Sequence, residues 1–285
     1  MAALFGPAGN PDAFYDSGKK ASVDMPEWLA SLGLTAYEYQ CSRGANIREE
    51  TARAIGKKAA EFGIKLSIHA PYYISLATED EAIAANTQRH FIRSMEAAQW
   101  MGADRVVFHI GGPGKRDRQA AMARAKYAFG EVLKELDKLG LTGVYLAPET
   151  MGKQNQLGTL AEVLELCKLS KWVIPTVDFG HLHAVSGGKY TTQPEFEAVF
   201  ETINDQLGPE VARNIHIHFS RIEFTKAGEK RHWTFDDSFG PPHEPLIEAC
   251  AANGFTPRII CESAGTQAVD AKKMQDLYFS LLNKN

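Results

Sequence analysis

Six short apolar runs in this chain end on a side chain able to bind a metal or move a proton. They are Lys65–His69, Arg105–His109, Val144–Glu149, Val173–Asp178, Asn214–His218 and Arg258–Glu262. The terminal residues are His69, His109, Glu149, Asp178, His218 and Glu262. A single histidine at a strand end is ordinarily a hydrogen-bonded structural residue. Six nitrogen and oxygen donors in the same place on successive strands form a joint pattern that chance placement does not explain. If the strands are parallel neighbours, their C-terminal ends converge, and these six side chains converge with them.

Further donors follow the same strands. His181 lies one turn beyond Asp178, with His183 close behind, and the loop from Gly228 to His232 adds His232 and Glu229. Imidazole and carboxylate donors without thiolate suit zinc, manganese or iron. Eight or nine donors exceed the needs of one ion and point to two or three. A carboxylate can bridge two ions, and a pair about 3.5–4 Å apart can clamp both oxygens of a phosphoryl displacement. Strand alternation supports a shared face. His69 falls on the face of Ser67, Asp178 on that of Thr176, and His218 on that of His216. The opposite faces carry Leu66, Ile68, Val177, Ile215, Ile217 and Phe219. His216 is expected deeper, orienting a ligand. His183 suits that role or a loop contact, His90 the solvated surface, and His243 the rim.

The elements that must hold these donors are readable in outline. Ala2–Phe5 and Ala36–Gln40 complete a set of eight strand-like runs. Stretches of helical periodicity lie between them, at 46–62, 79–101, 115–139, 159–169, 193–206, 244–253 and 267–282. Gly63, Gly102, Gly140 and Gly254 sit where helices should close. Strand and helix alternate with no break in composition. This predicts one domain over residues 1–285, a (β/α)8 TIM barrel with its active site at the C-terminal ends of the strands. An open doubly wound sheet is the alternative. The loops 110–116, 150–158, 184–192 and 219–242 then fall on the site face.

Composition sets further bounds. Hydrophobic residues make up 44% of the 285 and charged residues 23%, as in globular proteins. No apolar stretch approaches membrane length and no secretory pattern opens the chain, so a cytoplasmic protein is expected. Cys41, Cys167, Cys250 and Cys261 are scattered and expected to be reduced, not metal ligands. A net charge of −4 offers no global attraction to nucleic acid. Such binding would need a local rim, for which Lys115, Arg116, Arg118, Lys153, Lys189, Arg221, Lys226, Lys230 and Arg231 are candidates.

The ordered motifs resemble the endonuclease IV family of apurinic/apyrimidinic endonucleases, within the xylose-isomerase-like barrels. The carriers are His69-Ala70-Pro71-Tyr72-Tyr73 with Leu76, Phe108-His109-Ile110-Gly111, Pro148-Glu149-Thr150, Val177-Asp178-Phe179-Gly180-His181, His218-Phe219, Lys230-Arg231-His232 and Cys261-Glu262-Ser263. The resemblance implies three zinc ions, and the donor types themselves also suit manganese or iron. One ion would take His69, His109 and Glu149. A second would share Glu149 and add Asp178, His218 and Glu262, and a third would take His181 and His232. It also implies metal-hydroxide attack 5′ to an abasic sugar, with Glu149 and Glu262 catalytic. Tyr72 would enter the DNA; apart from the resemblance, Arg43 and Arg231 offer cations for contacting it. The implied partner is DNA containing abasic sites, met by a monomer.

Three segments depart from the family pattern. Lys230 stands where an aspartate ligand is usual, and Glu229 can replace it only if the loop shifts by one residue. Asp236-Asp237-Ser238-Phe239-Gly240 replaces a Gly-Glu-Gly stretch. The segment from Gln40 to Asn46 differs from the usual DNA-contacting loop. Two rivals remain open: a sugar isomerase or epimerase that uses one ion, and a non-catalytic binding protein.

Overall fold

The computed structural model describes residues 2–283. Among these residues ten strands form: β1 Leu4–Pro7, β2 Ala36–Gln40, β3 Lys65–His69, β4 Arg105–Phe108, β5 Tyr145–Pro148, β6 Thr176–Asp178, β7 His216–Phe219, β8 Arg221–Thr225, β9 Gly228–Trp233 and β10 Arg258–Cys261. The eight expected runs become β1–β7 and β10, with ends displaced by a few residues. Their pairings are parallel and build two arcs, β2-β3-β4-β5 and β6-β7-β10-β1.

The arcs meet at two seams. At one, the Gly9 N–H donates to the Glu38 carbonyl at 2.9 Å and the Thr35 N–H to the Phe5 carbonyl at 3.0 Å. At the other, the Leu146 N–H donates to the Trp172 carbonyl at 2.8 Å and the Thr150 N–H to that of Thr176 at 3.0 Å. The strands therefore stand in sequence order around a (β/α)8 barrel, with β10 as the eighth.

Helices pack outside this ring because their apolar residues recur at helical spacing. Glu81–Met101 buries Phe91, Met95 and Ala98 on one stripe, and Phe91 meets Phe108 with ring centroids 4.8 Å apart. The Asp80 side chain caps its first turn, accepting from the Ile83 N–H at 3.0 Å. All four glycines expected to close helices adopt φ between 63° and 70°. One expectation needs correction. The segment 219–242 is not one long loop, because β8 and β9 pair antiparallel and bury Ile222. The short helices Asp12–Asp16, Phe179–Val185 and Pro209–Arg213 were too brief for a periodic signal.

Outward residues of the strands, including Phe5, Tyr37, Ile68, Phe108, Leu146, Val177 and Ile217, join the helices in the main core. The barrel interior differs. It holds a small apolar patch of Ala8, Ala36 and Ile260, and polar residues that include Glu38, Ser67, Thr176, His216 and His218, each 0% exposed. At the N-terminal end of the strands, Arg258 donates to both Asp104 oxygens at 2.7 Å and to the Leu66 carbonyl at 3.0 Å. This bidentate pair closes the end opposite the donors.

The first seam depends on a missing side chain. A Cβ on Gly6 would lie 1.8 Å from the Ala36 carbonyl oxygen, which belongs to the neighbouring backbone. Gly6→Ala is expected to cost about 1–3 kcal/mol or more. The cost would appear as a lowered urea midpoint with unchanged slope, and a midpoint equal to wild type contradicts this account of closure.

Candidate metal centre

The C-terminal end of the barrel gathers the strand-end donors around Glu149, which follows β5 and is 0% exposed. His69 Nε2 lies 3.2 Å and His109 Nε2 3.0 Å from Glu149 Oε2. His218 Nδ1 lies 3.1 Å and His181 Nδ1 3.4 Å from Oε1. Asp178, His218 and Glu262 converge with Glu149, and His218 Nδ1 is 3.6 Å from Glu262 Oε1. Parallel register produces this meeting, since Asp178 pairs with His218 across β6 and β7.

A third group forms beside the first two. His181, Glu229 and His232 approach one another, with His181 Nε2 at 3.3 Å and His232 Nε2 at 3.5 Å from Glu229. In the β8–β9 hairpin Glu223 pairs with Arg231, while Phe224 pairs with Glu229. Lys230 is the extra residue of this bulge, so Glu229 and His232 turn the same way. Lys230 is exposed and ion-pairs with Glu223. The hairpin turn packs tightly on the loop after β5. The Glu229 N–H donates to the Gly152 carbonyl at 2.7 Å, and Gly228, with φ at 103°, has no room for a side chain against that same carbonyl.

Backbone partners set the ring orientations. Nδ1 of His69 donates to the Ala70 carbonyl and Nδ1 of His181 to that of Thr150, both at 2.8 Å. Asp178 caps the helix Phe179–Val185 by accepting from the His181 N–H at 2.7 Å. Its other oxygen, Oδ2, is buried without a hydrogen-bond partner.

The charges in this cluster depend on one another. Burial works against ionisation of Glu149, yet the His218 and His109 imidazoles hold its carboxyl well below the usual range. Burial opposes the charge on His69, but the Glu149 carboxylate pushes it up to about 9. Burial also opposes the charge on His232, and Glu229 drives it up to about 9. Burial raises Asp178, against the pull of His181, and the Glu262 and Glu149 charges raise it further. A cation would satisfy the unpartnered Asp178 oxygen and relieve the crowding of carboxylates. The donor set therefore fits metal ions bound through oxygen and nitrogen.

A cavity of about 540 Å³ opens above these donors, lined by His69, His109, His181, Glu229, His232, Glu262, Tyr72, Lys153 and neutral amides. Tyr72 is 56% exposed, and its ring lies 6.4 Å from that of His109. Arg43 and Arg231 are exposed and do not line this cavity. Arg231 instead stacks on Trp233 at 4.4 Å. Of the other rim cations, Arg116 is paired to Glu79, and Arg118 to Glu162. His183 contacts the Lys189 carbonyl and His243 stacks on Phe235. His216 lies below the donors, as alternation predicts, with Nε2 at 2.9 Å from Glu38. Glu38 itself escaped sequence reasoning. Its only signal was a carboxylate on the Ala36–Gln40 run, at the pleat position that pairs with Ser67.

A family model described as xylose isomerase-like TIM barrel matches residues 26–278. An uncharacterised protein of Methanocaldococcus jannaschii is 33% identical over 262 residues, covering 91% of each chain. A probable endonuclease 4 of Nitratidesulfovibrio vulgaris is 27% identical over 178 residues, 61% of this chain and 62% of that one. Among solved structures, a D-tagatose 3-epimerase-like protein superposes with TM-score 0.73 at 17% identity, covering 99% of this chain and 98% of the other. Endonuclease IV from Thermus thermophilus superposes with TM-score 0.68 at 18% identity over the full length of both. The chain belongs to the AP endonuclease 2 family of xylose isomerase-like TIM barrels.

Proposed function

We propose that this protein is a metal-dependent phosphodiesterase that incises DNA 5′ to abasic sites, acting as a cytoplasmic monomer. The observation that carries this reading is the third donor group, His181, Glu229 and His232, beside two groups that share Glu149. His69, His109 and Glu149 would hold one ion. Glu149, Asp178, His218 and Glu262 would hold a second, and the hairpin group a third. Zinc bound there would supply Lewis acidity, making water a nucleophile near neutral pH and offsetting charge on phosphoryl oxygens.

The chain's own residues then have separate tasks. Glu149 holds four imidazoles in place and sits between two donor groups. Glu262 reaches the cavity wall, where it can accept a proton from an attacking water. Lys153 on the opposite loop lines the same cavity and offers a cation to a phosphate. Tyr72 and Tyr73 project from the rim, each 56% exposed, as apolar surface for the space left by a missing base. Among the described residues no helix is long and apolar enough to cross a membrane.

A second reading has its own support. Glu149, Asp178, His218 and Glu262 alone suffice for one ion, and the superposition on the D-tagatose 3-epimerase-like protein is close. A keto-sugar epimerase would need that group and no hairpin ligands.

Two experiments separate these readings. An oligonucleotide bearing one abasic analogue should be cut on its 5′ side by zinc-loaded protein. Glu149→Gln should lower that rate by about a hundred- to a thousandfold, in the range of losses for central electrostatic groups. Absence of cutting after reconstitution with zinc or manganese contradicts the proposal. Elemental analysis should also show that Glu229→Ala loses one ion per chain while Lys230→Ala loses none. Loss in the Lys230 variant, or equal content in both, contradicts the shifted hairpin register as the source of the third site.

A further inference from the structure

Glu38 is a wholly buried carboxylate in the middle of the barrel, and the donor groups around Glu149 do not include it. Four polar groups surround it, three of them hydrogen-bonded to it. Ser67 Oγ–H reaches Oε2 at 2.9 Å, and His216 Nε2 lies at 2.9 Å from the same oxygen. Gln40 Nε2 donates to Oε1 at 3.2 Å. His218 Nε2 lies 3.0 Å from Oε1, at ion-pair distance, although its N–H is angled away from hydrogen-bond alignment. An ionised carboxylate has about four lone-pair sites; three hydrogen bonds fill three of them, and His218 Nε2 stands close to the fourth.

The partners on the far side fix the protons. Nδ1 of His216 faces the Arg105 guanidinium at 3.4 Å. Arginine only donates, so Nδ1 of His216 is the acceptor and its Nε2 carries the proton given to Glu38. Nε2 of His218 faces the same carboxylate, which can only accept. That leaves Nδ1 of His218 turned towards Glu149 and Glu262. The other imidazoles are arranged differently. His69 and His181 give their Nδ1 protons to backbone carbonyls, and His232 Nδ1 meets the Ser220 hydroxyl at 2.8 Å. Each of these three presents Nε2 to the cavity donors.

We infer that Glu38 is a positioning residue that makes His218 an Nδ1 ligand backed by a carboxylate, and so strengthens the ion shared with Asp178 and Glu262. The inference rests on the metal reading above. A carboxylate behind a ligating imidazole fixes the tautomer and raises the basicity of the metal-bound nitrogen. His218 therefore belongs to the most strongly held ion, which is released last to a chelator. Gln40 lines the cavity and contacts Glu38, so a ligand touching Gln40 is one side chain from this network.

The test compares wild type with Glu38→Gln, measuring zinc affinity by chelator competition and thermal melting of the metal-free forms. The expected result is a roughly 10- to 100-fold loss of affinity confined to the tightest ion, with the weaker ions unchanged. Equal affinity in a folded Glu38→Gln variant overturns the inference, as does a melting shift without any change in zinc binding. If the variant does not fold, 15N shifts of His218 in zinc-loaded wild type decide the matter. Zinc on Nδ1 with a proton on Nε2 supports the inference, and zinc on Nε2 overturns it. Wild type that takes up no zinc overturns the metal reading and this inference together.

Discussion

An ionised carboxylate is costly to bury unless charge and hydrogen bonds surround it. Glu149 meets that condition with four imidazoles in direct contact and no exposure to solvent. The rest of the site follows from this constraint. His69 and His218 turn one nitrogen to this carboxylate while a partner faces the other, and His181 is held at Nδ1 by the Thr150 carbonyl as it faces Glu149. Asp178 is too close to Glu149 and Glu262 to ionise freely, and one of its oxygens has no partner. A cluster with this balance is incomplete as a bare protein, because its protons and its carboxylates compete for the same space. Cations would complete it, and the energy to hold them would come from charges already buried during folding.

The barrel provides this because parallel strands in register end together. Its interior takes an unusual course for a small barrel. A polar column replaces the usual layers of branched apolar residues, from Arg258 and Asp104 at one end, through Glu38, Ser67 and His216, to the donors at the other. Such a column loses hydrophobic stabilisation inside the ring, which the helix-facing core must offset. It gains fixed orientations, since every ring in it has a defined partner. Arg105, His216, Glu38 and His218 form a continuous line of contacts from the closed end of the barrel to the donors around Glu149.

Much of this was legible in the sequence. The strand-end donors could be read because period-two alternation and parallel register are local rules that act on every strand alike. His216 could be placed below His218 for the same reason. Glu229 could not be assigned, because its orientation depends on a one-residue bulge at Lys230, set by pairing with Glu223 and Phe224 on another strand. Glu38 was passed over because a glutamate alternating with Tyr37 and Tyr39 looks like a solvent-facing position. It faces inward only because the barrel interior is polar. Arg43 and Arg231 carried the charge expected of a substrate rim, yet neither lines the cavity, and Arg231 spends its guanidinium on Trp233. Pairings between distant segments decided each of these cases, and a single segment contains no record of them.

The central claim is that one buried carboxylate organises several metal ions at the mouth of this barrel. Anomalous diffraction at the zinc edge from crystals of the zinc-loaded protein tests it directly. The account predicts three peaks, two of them beside Glu149 and the third among His181, Glu229 and His232. A single peak among Glu149, Asp178, His218 and Glu262, with the hairpin group bare, would contradict it and favour the one-ion chemistry of a sugar epimerase.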